Sequence, residues 1–187
     1  MEKHRCGWCK GDLLYEAYHD EEWGVPVKDD ELLFEFLVLE TFQAGLSWIT
    51  ILKRRENFRK AFDNFDYQKI VKYQEPKILE LLQNEGIIRN KLKVRATVSN
   101  AKAYINVQKE FGTFSEYIWQ FVKGVSVKNK VLNYKEAPAN TPTSDAISKD
   151  LKKRGFKFVG STIVYAFMQA TGLVNDHEIK CFRYHEV

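Results

Sequence analysis

Apolar positions recur at helical spacing through most of the chain. The run DDELLFEFLVLETFQ (29–43) begins with acids suited to a helix N-terminus and continues as a broad apolar stripe, which predicts a helix. Ser47 is placed to cap the next segment, WITILKRRENFRKAF (48–62). EPKILELLQNEG (75–86) opens beside a proline and closes with a glycine, as helices do. NKLKVRATVSNAKAYINVQKEFG (90–112) reads as one long amphipathic run, followed by TFSEYIWQFVKG (113–124). KGVSVKNKVLNYKEAPANTP (123–142) holds two prolines and β-branched residues without alternation, and predicts an irregular connection. TSDAISKDLKKRG (143–155) and GSTIVYAFMQATG (160–172) give the last two helices. With no repeat, low-complexity tract or linker, the pattern predicts one all-α domain over 1–187, of about eight short helices, and not a four-helix bundle.

Composition adds limits. The 187 residues, 44% hydrophobic, suffice for one substantial core. No apolar run reaches membrane-spanning length, and MEKHRCGWCK lacks the apolar core of a signal peptide, so a soluble cytoplasmic protein is expected. Three cysteines are too few for a disulfide framework and point to metal binding or burial. The net charge of +4 is mild, yet cations cluster in KRRENFRK (53–60), RNKLKVRATVSNAK (89–102) and KKRGFK (152–157). A single run of this kind is usually a solvated helix face; three in a barely basic chain point to a nucleic-acid surface.

Four features carry candidate chemistry. In GLVNDHEIKC (172–181), His177 and Cys181 stand four apart and would share one face of a helical turn, as two metal ligands do. Further ligands are available in His4, Cys6, Cys9, His19 and His185. Cys6 and His19, separated by GWCKGDLLYEAY, are one choice that completes a Cys₂His₂ set split between the two chain ends and leaves no open position for water; the alternative is that these histidines are ordinary polar residues. Glu40 ends the apolar run and is either partly buried, where its surroundings would control its protonation, or an exposed residue at a helix end. Trp8, Tyr15, Tyr18, Trp23, Phe42 and Trp48 crowd the same part of the chain; most aromatics are core, but beside a carboxylate they can sandwich a flat base. DLKKRGFKFVGSTIVYAFMQA (150–170) reads as helix, glycine-flanked hairpin, helix. It is either a plain helix pair or a phosphate cradle to which Lys152, Lys153, Arg154 and Lys157 add charge.

Several blocks together resemble the bacterial 3-methyladenine DNA glycosylase I family of the helix-hairpin-helix glycosylase superfamily. They are RCGW, LYEAYHDEEWGVP, QAGLSWITILKRRENFR, GIIRNKLKVRATVSNAKAY, SDAISKDLKKRGFKFVGSTIVYAFMQATGLVNDH and the final His-x-x-x-Cys. They span nearly the whole chain; 123–142 contributes nothing diagnostic. The resemblance implies one structural Zn²⁺ on Cys6, His19, His177 and Cys181, tying the chain ends together, with Cys9 outside the family's ligand positions.

It also implies a substrate, double-stranded DNA containing N3-methyladenine, and release of free 3-methyladenine with water as nucleophile, by a monomer. Glu40 would read the adenine edge and serve the catalytic site. Trp8, Tyr18 and Trp48 would wall the base, and Leu46 would wedge into the duplex. A helix-hairpin-helix element at about 145–171 would hold the DNA backbone through Lys153, Arg154, Lys157 and Gly160. Two departures from the superfamily stand out. Phe158 lies where a first hairpin glycine is usual, and Asn175, next to Asp176, lies where a catalytic aspartate is usual. No lysine occupies the usual nucleophile position, which implies hydrolysis without strand cleavage. The competing readings are a zinc-dependent hydrolase, which needs an open coordination position, and a non-enzymatic zinc-containing DNA-binding module, which needs no aromatic pocket.

Overall fold

The computed structural model describes residues 3–187. Its organising element is α2 (Asp30–Gln43), whose residues from Leu33 to Phe42 are all buried. A helix buried on every side belongs inside a core, and four later helices pack directly on this one. Asp29 caps it, accepting from the Leu32 amide at 2.8 Å. Asp30 does different work: its carboxylate accepts from the Phe114 and Ser115 amides, both at 2.8 Å, and so caps another helix.

Before α2 comes α1 (Leu13–Glu21), capped by Asp12. After it come α3 (Trp48–Leu52), α4 (Arg55–Ala61), α5 (Tyr67–Ile70), α6 (Glu75–Gln83), the long α7 (Lys91–Phe111) and α8 (Phe114–Trp119). Then follow α9 (Pro142–Lys153) and α10 (Ser161–Ala170). α10 packs on both α9 and α2, while α7 packs on α5, α6 and α8. The domain is mostly helical and built on one core, as expected, but with ten α-helices among the described residues where about eight were predicted.

The differences have local causes. The segment 48–62 is two helices, not one, broken at Arg54, after which Arg55 turns inward to Glu35 and Glu22. The connection 123–142 is not wholly irregular. Within it β1 (Val127–Lys128) pairs in parallel with β2 (Val174–Asn175), and an isolated bridge joins Val131 to Glu178. Residues 177–181 form a turn, with the Cys181 amide donating to the Glu178 carbonyl at 2.7 Å, in place of the helical turn expected from the i, i+4 spacing. The two ends of the chain meet there, the Phe182 amide donating to the His4 carbonyl at 3.0 Å. No helix among the described residues is long and apolar enough to cross a membrane.

Candidate active site and metal centre

The meeting of the chain ends builds a cluster of Cys6, His19, His177 and Cys181, all buried, with one ligand atom from each within 4.8 Å of the others. Cys6 precedes a 3₁₀ turn (Gly7–Cys9), His19 lies in the last turn of α1, His177 follows β2, and Cys181 caps the 3₁₀ helix Phe182–His185. Sulfur-to-nitrogen separations are 3.6 Å from Cys6 to His177, 3.4 Å from Cys181 to His19 and 3.6 Å from Cys181 to His177. A tetrahedron with metal–sulfur and metal–nitrogen bonds of zinc length has an S···N edge of about 3.5 Å, so this donor set fits such an ion.

Each imidazole turns one nitrogen to the cluster and anchors the other. His19 Nδ1 meets Asp20 Oδ1 at 2.8 Å, and Arg5 clamps that carboxylate; His177 Nε2 meets the Trp23 carbonyl at 3.0 Å. Outer partners of this kind fix ring orientation and basicity in metal sites. Hydrogen bonding with Cys6, then with both histidines, pulls the Cys181 thiol well below its usual range. Cys9 lies outside the cluster: its thiol donates to the Cys6 carbonyl at 3.2 Å, and burial pushes its pKa up to about 11. His4 and His185 are exposed and not part of it.

Beside the cluster opens a cleft of about 180 Å³, a small volume compared with most small-molecule sites. Trp8, Tyr18, Glu40 and Trp48, singled out in the sequence, all line it, together with Tyr15 and Trp23. Trp8 is edge-on to Tyr15 and Trp23 at centroid distances of 4.8 and 5.0 Å, and Tyr18 lies 5.4 Å from Trp48. Glu40 is 3% exposed, and its Oε2 has no hydrogen-bond partner among the described residues. Burial raises the pKa of this carboxyl to about 8. A buried, unpaired acceptor facing a cleft costs stability unless a ligand satisfies it.

The cleft also contains Gln43, Tyr134, Ala137, Ala166, Gln169 and Asp176, none of them foreseen as site residues. Gln43 was within reach, since it stands three residues after Glu40 on the same helix. Asp176 was visible only as the neighbour of Asn175. The two part company: Asn175 donates to the Tyr184 and Val187 carbonyls and pins the chain end. Asp176 is buried and accepts from Asn129, Tyr165 and Gln169 at 2.6–2.8 Å.

Two flanking elements carry the remaining sequence candidates. Leu46 stands 41% exposed on the turn after α2, next to Gly45, whose φ of +82° suits glycine. Lys93, buried on α7, grips this turn, donating to the Phe42 and Ala44 carbonyls at 3.0 and 2.7 Å. Between α9 and α10, Phe158 has φ +56°, the left-handed conformation a hairpin glycine would take. Asn100 holds the turn on both sides of Lys157, accepting from its amide at 2.7 Å and donating to its carbonyl at 3.1 Å. Gly160 caps α10 with open space where a Cβ would stand.

Lys152, Lys153 and Lys157 are exposed here, but Arg154 is already neutralised by Asp150 at 2.6 Å and Glu110 at 2.7 Å. In the other basic clusters several cations are likewise paired with carboxylates. Arg55 and Arg59 pair with Glu35, Lys53 with Asp12, and Arg95 with Glu75.

The comparisons with known proteins agree with one another. A family model described as methyladenine glycosylase matches residues 8–184. DNA-3-methyladenine glycosylase 1 of Escherichia coli (strain K12) is 51% identical over 180 residues, 96% of each chain. A crystal structure of 3-methyladenine DNA glycosylase I superposes with a TM-score of 0.93 at 51% identity, covering 96% of this chain and 98% of that one. The Staphylococcus aureus 3-methyladenine DNA glycosylase I, solved to explain 3-methyladenine recognition, gives 0.92 at 34% identity over 95% of both chains. Matched over nearly its full length in sequence and in fold, the chain belongs to the methyladenine glycosylase family.

Proposed function

We infer that this protein is a DNA repair glycosylase that excises N3-methyladenine from double-stranded DNA by hydrolysis, leaving an abasic site. The observation that carries this is the buried, unpartnered Glu40 carboxyl in an aromatic-walled cleft. A methylated adenine in DNA is a flat cation with donors on its edge. Trp8, Tyr18 and Trp48 offer it π faces, and Glu40 offers an acceptor that becomes negative as the cation enters. The nucleotide is flipped out of the stack to reach them, with Leu46 on the adjacent turn filling the gap it leaves.

The chemistry asks little of the protein. When the C1′–N9 bond breaks, its electron pair neutralises the positive ring, so the base departs without prior protonation. Water adds to C1′ and releases a proton to solvent. The protein's work is to orient the base and admit the water. Lys153, Lys157 and the Gly160 end of α10 hold the backbone, with the α9–α10 pair acting as a helix-hairpin-helix element and the chain as a single-domain monomer.

Cys6, His19, His177 and Cys181 would hold one zinc ion. When bound it supplies a structural cross-link between the chain ends, since four protein ligands leave no position for water. A zinc-dependent hydrolase is disfavoured for that reason, and a non-enzymatic DNA-binding module because it has no use for the cleft. The test is to incubate alkylated duplex with the protein and identify the bases released.

A further inference from the structure

The connection 123–142 offers no motif in the sequence, yet it delivers Tyr134 and Ala137 to the cleft. Tyr134 opens a 3₁₀ turn (Tyr134–Glu136) capped by Asn133. Its ring lies over the backbone of Gly7, where an added Cβ would come within 2.7 Å of Cε1. Gly7 immediately precedes Trp8, so the Tyr134 ring abuts the turn that carries a wall of the pocket. The other tyrosines brought in by the core differ from it. Tyr104, Tyr117 and Tyr165 are fully buried, and each donates its hydroxyl to an internal acceptor. Tyr134 is half-buried and turns open surface to the cleft.

The placement of Tyr134 has an identifiable cause. Glu178 Oε1 accepts from the Tyr134 amide at 3.0 Å and from the Gly7 amide at 3.4 Å. Just before it, Val131 bridges to Glu178, and the Ile179 amide donates to the Val131 carbonyl at 2.9 Å. One carboxylate therefore joins three distant pieces of chain: the N-terminal turn, the connection and the C-terminal turn.

We propose that Tyr134 is a substrate-contacting residue that closes one side of the base pocket, and that Glu178 is the positioning residue that holds it there. The contact is made by the ring, an aromatic surface for a flat cationic base. This rests on the glycosylase reading above and adds to it a wall from a segment with no diagnostic sequence.

The test compares Tyr134→Ala, Tyr134→Phe, Glu178→Ala and Glu178→Gln with the unaltered protein. It measures calorimetric affinity for free 3-methyladenine, kcat and KM on alkylated duplex, melting temperature and metal content. Tyr134→Ala is expected to weaken base affinity and raise KM about ten-fold, with kcat, melting temperature and metal content kept. Tyr134→Phe retains the ring and behaves as the unaltered protein. Glu178→Ala reproduces the KM effect with metal retained, whereas Glu178→Gln keeps an acceptor for both amides and rescues it. Tyr134→Ala with unaltered affinity and KM, in a preparation whose parent binds and excises the base, overturns the proposal alone. A parent protein that neither binds nor excises 3-methyladenine overturns the glycosylase reading and the proposal with it.

Discussion

The Trp8 indole stands edge-on to the His19 imidazole, ring centroids 5.3 Å apart, so a wall of the cleft is built directly on a member of the metal cluster. Trp23 repeats the arrangement, 4.6 Å from His177. Both walls pack against the cluster, so an ion held there would bear on a cleft it does not enter.

Loss of a ligand should therefore be felt twice. Cys181→Ala is expected to lose zinc, lower the melting temperature and weaken binding of free 3-methyladenine, because Trp8 and Trp23 lose their support. Zinc analysis, thermal denaturation and calorimetry read the three effects. Cys9→Ser should keep its zinc; full zinc occupancy in Cys181→Ala would sink the ligand assignment.

Glu40 predicts a pH dependence. Its carboxyl titrates near pH 8 in the fold and near the ordinary carboxylate value when unfolded. The folded state therefore binds the extra proton, and stability falls as pH rises through that window. Recognition of a cation runs the opposite way and improves as pH rises towards 8. Glu40→Gln should flatten both profiles and be the more stable protein at neutral pH. It should also weaken base binding by about 1.5–3 kcal/mol, or one to two decades. Parallel pH profiles for the two proteins would remove Glu40 from recognition. Unchanged base affinity with excision at background would make it a catalytic base instead.

The hairpin cations should separate into two kinds. Neutralising Lys153 and Lys157 is expected to weaken binding of damaged and undamaged duplex alike and to flatten the salt dependence by about 0.9 per lost phosphate contact. Arg154→Ala should instead cost about 1 kcal/mol of stability, since its guanidinium is paired with Asp150 and Glu110 and lies over Phe111 and Tyr117. A change in salt slope for Arg154→Ala as large as for the lysines would show that the ion pairs open on DNA.

Lys93→Met leaves the Phe42 and Ala44 carbonyls without their buried donor, at a cost of about 1–3 kcal/mol. Because those carbonyls begin the turn that carries Leu46, affinity for a duplex with a flipped nucleotide should fall more than affinity for the free base. Equal losses on both would place the effect in overall stability.

The four residues of the cluster were legible in the sequence, but spacing alone left His4, Cys9 and His185 open, and it was the family resemblance that narrowed the choice; the structure brings Cys6, His19, His177 and Cys181 together. The α2 core was legible from one apolar run interrupted only by Glu35, but that run left open whether Glu40 is buried or exposed. The pairing within the basic clusters was not legible, because Arg55 and Arg59 find Glu35 some twenty residues away, and no reading of a local charge run reveals that. Tyr134 and the β1–β2 pairing stayed hidden for a related reason: a two-residue parallel strand has no period to detect, and its partner lies 47 positions along the chain.

The most direct measurement is single-turnover incubation of methylated duplex with the zinc-loaded protein, followed by chromatography of the bases set free. 3-Methyladenine is expected to appear, with abasic sites in equal number and the strand unbroken until alkali is added. Intact methylated DNA at the end of the incubation, or cleavage of the strand by the protein itself, would contradict this expectation.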